Sequence, residues 1–421
     1  MRTRLLCLTA VLAVAGALRA QDDEEVSPYK EMKTLARAVE LIRQDFADED
    51  KTDYERLIHS ALRGMLEELD PHSDFMDPKD FKGMQEDTRS EFGGLGVVVT
   101  REDDRLSIVA PMEGTPGFRA GLLPGDILLE IDGQSAERMS LRDAVDKLRG
   151  EAGTPVELAV ARAGEKEALR FQIEREVIKV PSVRGAKILE GEGPRIGYVR
   201  VTQFSEPTGQ EFSRALGQLE QGGMEALVLD LRFNPGGLLG SAVEVAGEFL
   251  PAGALVAYTE GRSASAARRY TAPAKGRRPP AYPVAVLVNG SSASGAEIVA
   301  GALKDSGRAL LVGETTFGKG SVQSVVSLPD GSAVRLTTAK YFTPGKQPIH
   351  EKGVTPHVLA PMSAADEARL LAWRRREDLP AGSERDAPEP VDDVPLRRAV
   401  DALRGVLLHA REGAEEPSGE G

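Results

Sequence analysis

Residues 284–303 read VAVLVNGSSASGAEIVAGAL. Five unbroken apolar residues, 284–288, are what a strand buried on both faces requires. A loop of small residues follows and opens into a helix over 296–305. Working outward, the runs IGYVRV (196–201), ALVLDL (226–231) and ALLVG (309–313) have the same strand character. They alternate with helical stretches at 207–220, 239–249 and 296–305. That alternation predicts a layered βαβ-type core over residues 183–361.

Ser294 sits at the strand-to-helix turn of the opening stretch. A tight turn exposes a hydroxyl, and the unbonded N–H groups of a helix start can stabilise a developing oxyanion. Read alone, Ser291, Ser292 and Ser294 serve equally well as helix N-caps. A second constellation is GETTFGKGSVQ, 313–323. Lysine acts as a general base only when its pKa falls from ~10.4 toward ~7–8. Burial does this by penalising the charged form, and the glycines flanking Lys319 allow the close packing that burial needs. Gly313, Gly318 and Lys319 also approach a phosphate-binding loop. Gly320 stands where the hydroxyl residue belongs, however, and strand-like residues 322–328 follow instead of a helix, which argues against nucleotide. In DLRFNPGG (230–237) a buried strand ends in a Gly-Gly turn whose N–H groups can face a carbonyl oxygen, or can simply turn the chain.

The rest of the sequence narrows the classes. The 421 residues point to two or three domains. A net charge of -13 disfavours a general nucleic-acid binder. The five histidines, His59, His72, His350, His357 and His409, form no HExxH pair, and no GxSxG elbow occurs. A histidine-dependent serine hydrolase would need His72, His350 or His357 beside Ser294.

Residues 1–20, with Arg2 and Arg4 before the apolar run 5–17, read as a secretory signal, or alternatively an uncleaved anchor. The single cysteine, Cys7, lies inside it, so the mature chain has no thiol chemistry. An acidic linker (21–27) precedes helical periodicity over 28–68. Residues 92–178 form a β-rich module with one helix, 141–148, capped by Ser140. From 362 a tail follows, with a Pro-rich acidic middle and an amphipathic helix at 395–409.

Taken together the motifs resemble the carboxyl-terminal processing peptidases, tail-specific proteases with a Ser/Lys dyad. The resemblance spans roughly 30–360 and rests on seven ordered segments. These are LDPHSDFMDP (69–78), FGGLGVVV (92–99), GTPGFRAGLLPGDILLEIDG (114–133), LVLDLRFNPGGLL (227–239), VNGSSASGAEIVAGALKD (288–305), GETTFGKGSVQ (313–323) and KYFTPGKQPIHEKGVTPHV (340–358). It implies a multidomain α/β chain: a helical region at 28–90, an inserted PDZ domain at 92–178, a ClpP/crotonase-like protease core at 183–361, and a tail at 362–421.

By the same resemblance Ser294 is the nucleophile, Lys319 the general base and Gln323 the residue orienting the lysine. The oxyanion hole would use the backbone of Gly295 and of Gly236 or Gly237. Gly295 replaces the family's usual alanine, giving a looser turn. Glu297 and Asp305 match family acids. Asp305 is sometimes a relay member, but a carboxylate near the base would raise its pKa, so a cap or ion pair is the expected role of both. In the PDZ module, Gly94-Leu95-Gly96-Val97 matches the carboxylate-binding loop, where successive N–H groups form an anion nest. A peptide C-terminus would add a strand beside it, under the helix bearing Leu141, Ala144, Val145 and Leu148. Those side chains imply substrates with apolar C-termini, or else fill the domain core.

The expected function is an exported, most simply periplasmic, serine endopeptidase that captures C-termini and cleaves near them through an acyl-enzyme. No metal or cofactor is implied. Homodimerisation through the terminal helices is expected, and membrane association would follow from an uncleaved N-terminus. The competing reading is a catalytically silent peptide-binding adaptor on the same scaffold.

Overall fold

The computed structural model describes residues 28–102, 104–263, 266–274, 278–379 and 391–415. The expected signal (1–20), the acidic linker (21–27), most of the Pro-rich stretch (380–390) and the last residues (416–421) lie outside the described residues. The chain divides into two units, 1–65 and 66–421.

The described part of the first unit is a helix pair. Helix α1 (Pro28–Asp45) and helix α2 (Tyr54–Glu67) are joined through a 3-10 turn at Glu49–Lys51. The Arg43 guanidinium lies 3.7 Å from the Tyr54 ring centre, and the Tyr54 hydroxyl donates to Glu40 at 2.9 Å. Within α1 only Val39 is buried, while Tyr29, Met32, Leu41 and Ile42 are exposed.

The second unit opens with β1 (Asp74–Met76) and α3 (Pro78–Arg89). Asp77 caps α3 by accepting the Lys79 and Asp80 N–H groups, with Pro78 at the first helical position, where its missing N–H costs nothing. Next come β2 (Glu91–Gly94), β3 (Val97–Glu102), β4 (Arg105–Pro111), the short α4 (Pro116–Arg119), β5 (Ile127–Ile131), β6 (Gln134–Ser135), α5 (Leu141–Leu148), β7 (Pro155–Ala161), β8 (Leu169–Glu174) and β9 (Glu176–Lys179). Ser140 and Asp143 form a reciprocal capping box on α5. The sheet runs β3-β4-β5-β7-β8 with β6 beside β5, while β2 pairs with β9. Among the described residues β3 pairs with β4 alone, which leaves its other edge open there.

The larger sheet is built from β10 (Val183–Ile188), β11 (Ile196–Val201), β12 (Ala226–Asp230), β15 (Val284–Val288), β16 (Ala309–Gly313) and β19 (Val358–Leu359). They lie in that order, parallel from β11 onward. Helices α6 (Thr208–Gln221), α7 (Leu239–Gly247) and α8 (Gly295–Asp305) connect them. Strand β15 has all five side chains buried because both faces are covered. Val284, Val286 and Val288 pack with residues of α6, α7 and α8, while Ala285 and Leu287 pack with Ala399 and Leu403 of α10 (Val394–Glu415). This is the arrangement the unbroken apolar run calls for.

A second sheet runs β1-β18-β13-β14, with β17 on β18; its remaining strands are β13 (Leu255–Gly261), β14 (Arg268–Thr271), β17 (Ser321–Ser327) and β18 (Ala333–Phe342). Helix α9 (Ala364–Glu377) is an element the sequence reading left within the tail.

Candidate active site

The three loops singled out in the sequence leave the C-terminal ends of three adjacent parallel strands. Residues 231–238 follow β12, 289–294 follow β15 and 314–320 follow β16. The crevice beyond the carboxyl ends of such a sheet is where α/β folds place their chemistry.

Ser294 is half-buried at the N-cap of α8, with φ 51° and ψ -110°. Few non-glycine residues adopt that backbone, and such strain costs about 1–3 kcal/mol and collects at functional sites. Phe233, in the facing loop, also has positive φ, at 61°. Asn289 ties the two loops together, its Oδ1 accepting the N–H groups of Phe233 (3.0 Å) and Ser291 (3.2 Å). Ser292 is fully buried, its hydroxyl donating to Leu231 O at 2.9 Å. Of the three serines it is the structural one.

The residue that organises the site is Glu297. Its carboxylate is wholly buried and accepts four hydrogen bonds. Oε2 takes the Ser294 N–H and the Lys319 N–H, both at 2.8 Å; Oε1 takes the Thr316 hydroxyl at 2.5 Å and the Gly318 N–H at 2.7 Å. Burial pushes the Glu297 carboxyl above its usual range, against the pull of those four donors. One oxygen thus fixes the backbones of Ser294 and Lys319 relative to each other. Their side chains share no direct hydrogen bond in this structure, which is common before substrate tightens a site.

Lys319 is half-buried. Burial first, then the neighbouring Arg335 charge, hold its amine below the ordinary lysine range. Gly320 permits the burial, because a Cβ there would stand 2.2 Å from His350 N. His72 lies close enough to Lys319 to feel its charge. Burial and then Lys319 lower the His72 pKa, with Asp70 opposing. Gln323 lies on β17 with Nε2 donating to Ser321 Oγ at 2.8 Å and Thr337 Oγ1 at 3.3 Å.

In the NPGG turn, a Cβ on Gly236 would stand 2.6 Å from Ser294 Cβ, so only glycine fits against the serine. The Gly236 N–H is turned to Asn234 Oδ1 at 2.8 Å. This removes Gly236 from the expected oxyanion donors. The N–H groups of Gly237 and Gly295 have no acceptor among the described residues. Gly295 is compact rather than loose: a Cβ there would stand 2.9 Å from Phe204 Cδ2, so the buried ring occupies the space an alanine would take. Behind the turn, Asp230 is fully buried and holds Tyr198, Arg232 and Arg374 of α9, and Arg232 forks onto Asp393 at 2.7 and 2.8 Å. The two arginines outweigh the burial that would push the Asp230 carboxyl up, and hold it far below its usual range.

A model of peptidase family S41 matches residues 195–360, a PDZ domain model residues 107–162, and the N-terminal domain of activating protease CtpB residues 10–80. The carboxy-terminal-processing protease of Bartonella bacilliformis is 38% identical over 421 residues, covering 96% of this chain and 95% of that protein. The chain belongs to the S41 carboxy-terminal processing proteases. Processing protease CtpB of Bacillus subtilis is 38% identical over 80% of this chain and 69% of its own length. The Synechocystis carboxyl-terminal-processing protease is 35% identical over 99% and 97%. Among solved structures, a photosystem II D1 C-terminal processing protease aligns with TM-score 0.46 and 30% identity, covering 79% of this chain and 93% of that one. The protein is therefore a PDZ-bearing serine protease acting on peptide substrates, not a silent adaptor.

The remaining residues singled out in the sequence take the following places. Asp305 lies exposed at the far end of α8, about 15 Å from its first turn at 1.5 Å per residue. It accepts the Gly345 N–H at 2.7 Å and is a loop cap, not a relay member. Glu297 caps α8 through the Ser294 N–H and also holds the Lys319 loop. In the PDZ module Leu95, Ala144 and Leu148 are core residues, and Gly94 is engaged in the β2–β9 pairing. Val97 and Val145 are half-buried and Leu141 is exposed, so these three can line a groove beside β3. His357 accepts the Leu311 N–H at 3.0 Å, a structural role, and neither His72 nor His350 hydrogen-bonds Ser294. The residues following 318 enter β17 rather than a helix, which closes the phosphate-loop reading. Arg374 and Asp393 escaped notice because their partners lie 144 and 161 residues away.

Proposed function

We propose that Ser294 is the nucleophile and Lys319 the general base. The observation that carries this is the Glu297 carboxylate bonded to both backbones, one of them that of a lysine whose amine burial holds below its ordinary pKa. Neutral Lys319 takes the hydroxyl proton as Ser294 Oγ attacks the scissile carbonyl. Gly295 and Gly237 donate to the oxyanion, and an acyl-enzyme forms as the leaving amine departs protonated. Lys319 then takes a proton from water, which releases the acyl group.

Substrate C-termini are captured along the open edge of β3, with the carboxylate at Leu95-Gly96 and an apolar terminal side chain against Val97, Leu141 and Val145. Export through residues 1–20, to the periplasm in a bacterium of that architecture, fits the apolar leader and the absence of other cysteines. Retention of that leader would anchor the protease to the membrane. The exposed apolar residues of α1 support homodimerisation.

The test compares wild type with Ser294→Ala and Lys319→Ala on an unfolded protein ending in apolar residues, with free or amidated C-terminus, read by mass spectrometry. Cleavage by wild type alone, slowed by amidation, is expected. Cleavage by either variant at the wild-type rate sinks the dyad.

A further inference from the structure

Helix α9 lies in the tail and has no part in the chemistry above, yet it reaches the two loops that frame Ser294. Glu367 and Arg374 stand seven residues apart, two turns along one face of the helix. Glu367 Oε1 accepts from Asn289 Nδ2 at 2.9 Å. Arg374 Nη2 donates to Asp230 Oδ2, and its guanidinium lies 5.5 Å from the Phe233 ring centre. Asp230 is the last residue of β12, Asn289 the first after β15, and these strands are neighbours. The helix thus splints the ends of two adjacent strands, where the NPGG loop and the nucleophile loop leave the sheet.

Asn289 is where the splint meets the site. It is buried, and both ends of its amide are engaged. Oδ1 accepts the N–H groups of Phe233 at 3.0 Å and Ser291 at 3.2 Å, one from each loop. An amide is nearly symmetric in shape, and its hydrogen bonds decide which end is oxygen. An ionised carboxylate only accepts, so Glu367 keeps the NH2 end on itself and the oxygen on the two N–H groups. The opposite orientation would set NH2 against two backbone donors and the oxygen against an anion, which drives the loops apart. Phe233 lies four residues before Gly237, and Ser291 three before Ser294. Between these ties the loops touch directly. The Ala293 N–H donates to Asn234 O at 2.9 Å, and Gly236 leaves no room for a Cβ beside Ser294 Cβ. Gly237 closes one loop and Gly295 follows the other, so the spacing of the loops is the spacing of the two oxyanion donors.

We propose that Glu367 is a positioning residue for the oxyanion hole: through Asn289 it holds the Phe233 and Ser291 backbones at the spacing that lets Gly237 and Gly295 share one oxyanion. This rests on the Ser294/Lys319 reading and brings the tail helix into it. Glu367 and Asn289 touch no reacting atom.

The experiment uses the full chain and a peptide ending in a free apolar residue. Glu367→Ala is expected to lower kcat about 5- to 50-fold, less than the ~10²–10³-fold that loss of a whole oxyanion donor brings, with KM changed less than about twofold. Glu367→Gln still offers an acceptor and keeps kcat within about threefold of wild type. Asn289→Asp removes the donor, sets two carboxylates together and lowers kcat at least as far as Glu367→Ala. Adding Glu367→Gln to that chain supplies the missing donor and recovers most of the loss. A peptide aldehyde ending at the cleavage site, which adds the Ser294 hydroxyl to give a tetrahedral hemiacetal, reads the transition-state geometry apart from ground-state binding. Its inhibition constant should rise in Glu367→Ala by the factor that kcat/KM falls.

Wild-type kcat in folded Glu367→Ala overturns the proposal. So does a Glu367→Gln no better than alanine, an aldehyde affinity that does not follow kcat/KM, or an Asn289→Asp that Glu367→Gln fails to improve. Should Glu367→Ala prove unfolded by melting, the Asn289→Asp chain with and without Glu367→Gln carries the comparison. Ser294→Ala and Lys319→Ala are run beside these. If they retain activity the dyad itself has failed; if they are dead while Glu367→Ala is fully active, only the positioning idea has.

Discussion

Replacing Glu297 by glutamine changes one atom and should disable the protease. The carboxylate offers two acceptor ends, each holding two donors. Glutamine keeps one acceptor end and turns the other into a donor. In the better orientation the oxygen stays on Ser294 and Lys319, and the NH2 faces Thr316 and Gly318. The Thr316 oxygen can rotate to accept, although it already receives the Val354 N–H at 2.7 Å. The Gly318 N–H cannot adapt and is left facing another donor. One buried donor without a partner costs about 1–3 kcal/mol, and the two remaining bonds fall from charge-assisted to ordinary strength. Relief of the burial penalty on the charge offsets part of this, leaving a net loss of about 2–4 kcal/mol. The kinetic cost should be larger, because a shift of ~1 Å between reacting groups can cost ~10²-fold. Thermal unfolding and steady-state cleavage of a peptide are measured together. A drop of several degrees with kcat down ~10²-fold and KM little changed is expected. A Glu297→Gln enzyme with wild-type melting and wild-type kcat would refute the clamp.

Three further outcomes follow from the same geometry. Lys319→Met should abolish cleavage yet melt no lower than wild type near neutrality. Burial holds the folded-state pKa below the unfolded one, so the unfolded chain binds the proton more tightly and wild-type stability rises with pH. The advantage of methionine should therefore shrink as pH approaches the ordinary lysine value, and a pH-independent difference in melting would contradict this. Asp230→Ala leaves Arg232 and Arg374 buried without their shared anion; a loss of about 3–5 kcal/mol is expected in denaturant titration, and a loss under 1 would mean Asp393 suffices alone. Gly295→Ala restores the family's usual residue but presses on Phe204. It should cost about 1–3 kcal/mol as overpacking does, and Phe204→Leu in the same chain should recover most of it.

The fold class and the three loops of the site were legible because each carries a local signal. The run 284–288 announces a doubly covered strand, and the turn residues after 230, 288 and 313 mark where chain leaves the sheet. The helix at 141–148 was legible to the residue, since Ser140 and Asp143 cap it reciprocally. What was not legible depends on pairing between distant segments. Strands β1 and β18 meet across more than 250 residues, with Asp74 opposite Arg335, and no periodicity near residue 74 reports that. The helix α3 did carry a signal, Asp77-Pro78 followed by Asp80, that a reading by motif passed over. The role of Glu297 was illegible for another reason. A glutamate three residues after a serine reads as half of a capping box, and so it is, since its Oε2 does accept the Ser294 N–H. That the same oxygen also takes the Lys319 N–H depends on where the 314–320 loop returns.

A Ser/Lys site poses a specific difficulty, and the placement of Glu297 answers it. The base must sit in a poorly solvated place to be neutral, yet a carboxylate near its amine would raise its pKa and return the proton. Here the buried carboxylate meets Lys319 at the backbone N–H. It can therefore bind the two loops tightly while contributing little to the field at the amine, and the shifts acting on Lys319 are burial and the cation Arg335, both lowering it. Asp70 obeys the same rule from the other side, its charge taken up by the N–H groups of His72 and Ser73 and by the Ser73 hydroxyl. Both anions shape the site through hydrogen bonds and neither is among the causes that shift the Lys319 amine, which is why moving either carboxylate closer to Nζ should cost more activity than deleting a bond it makes.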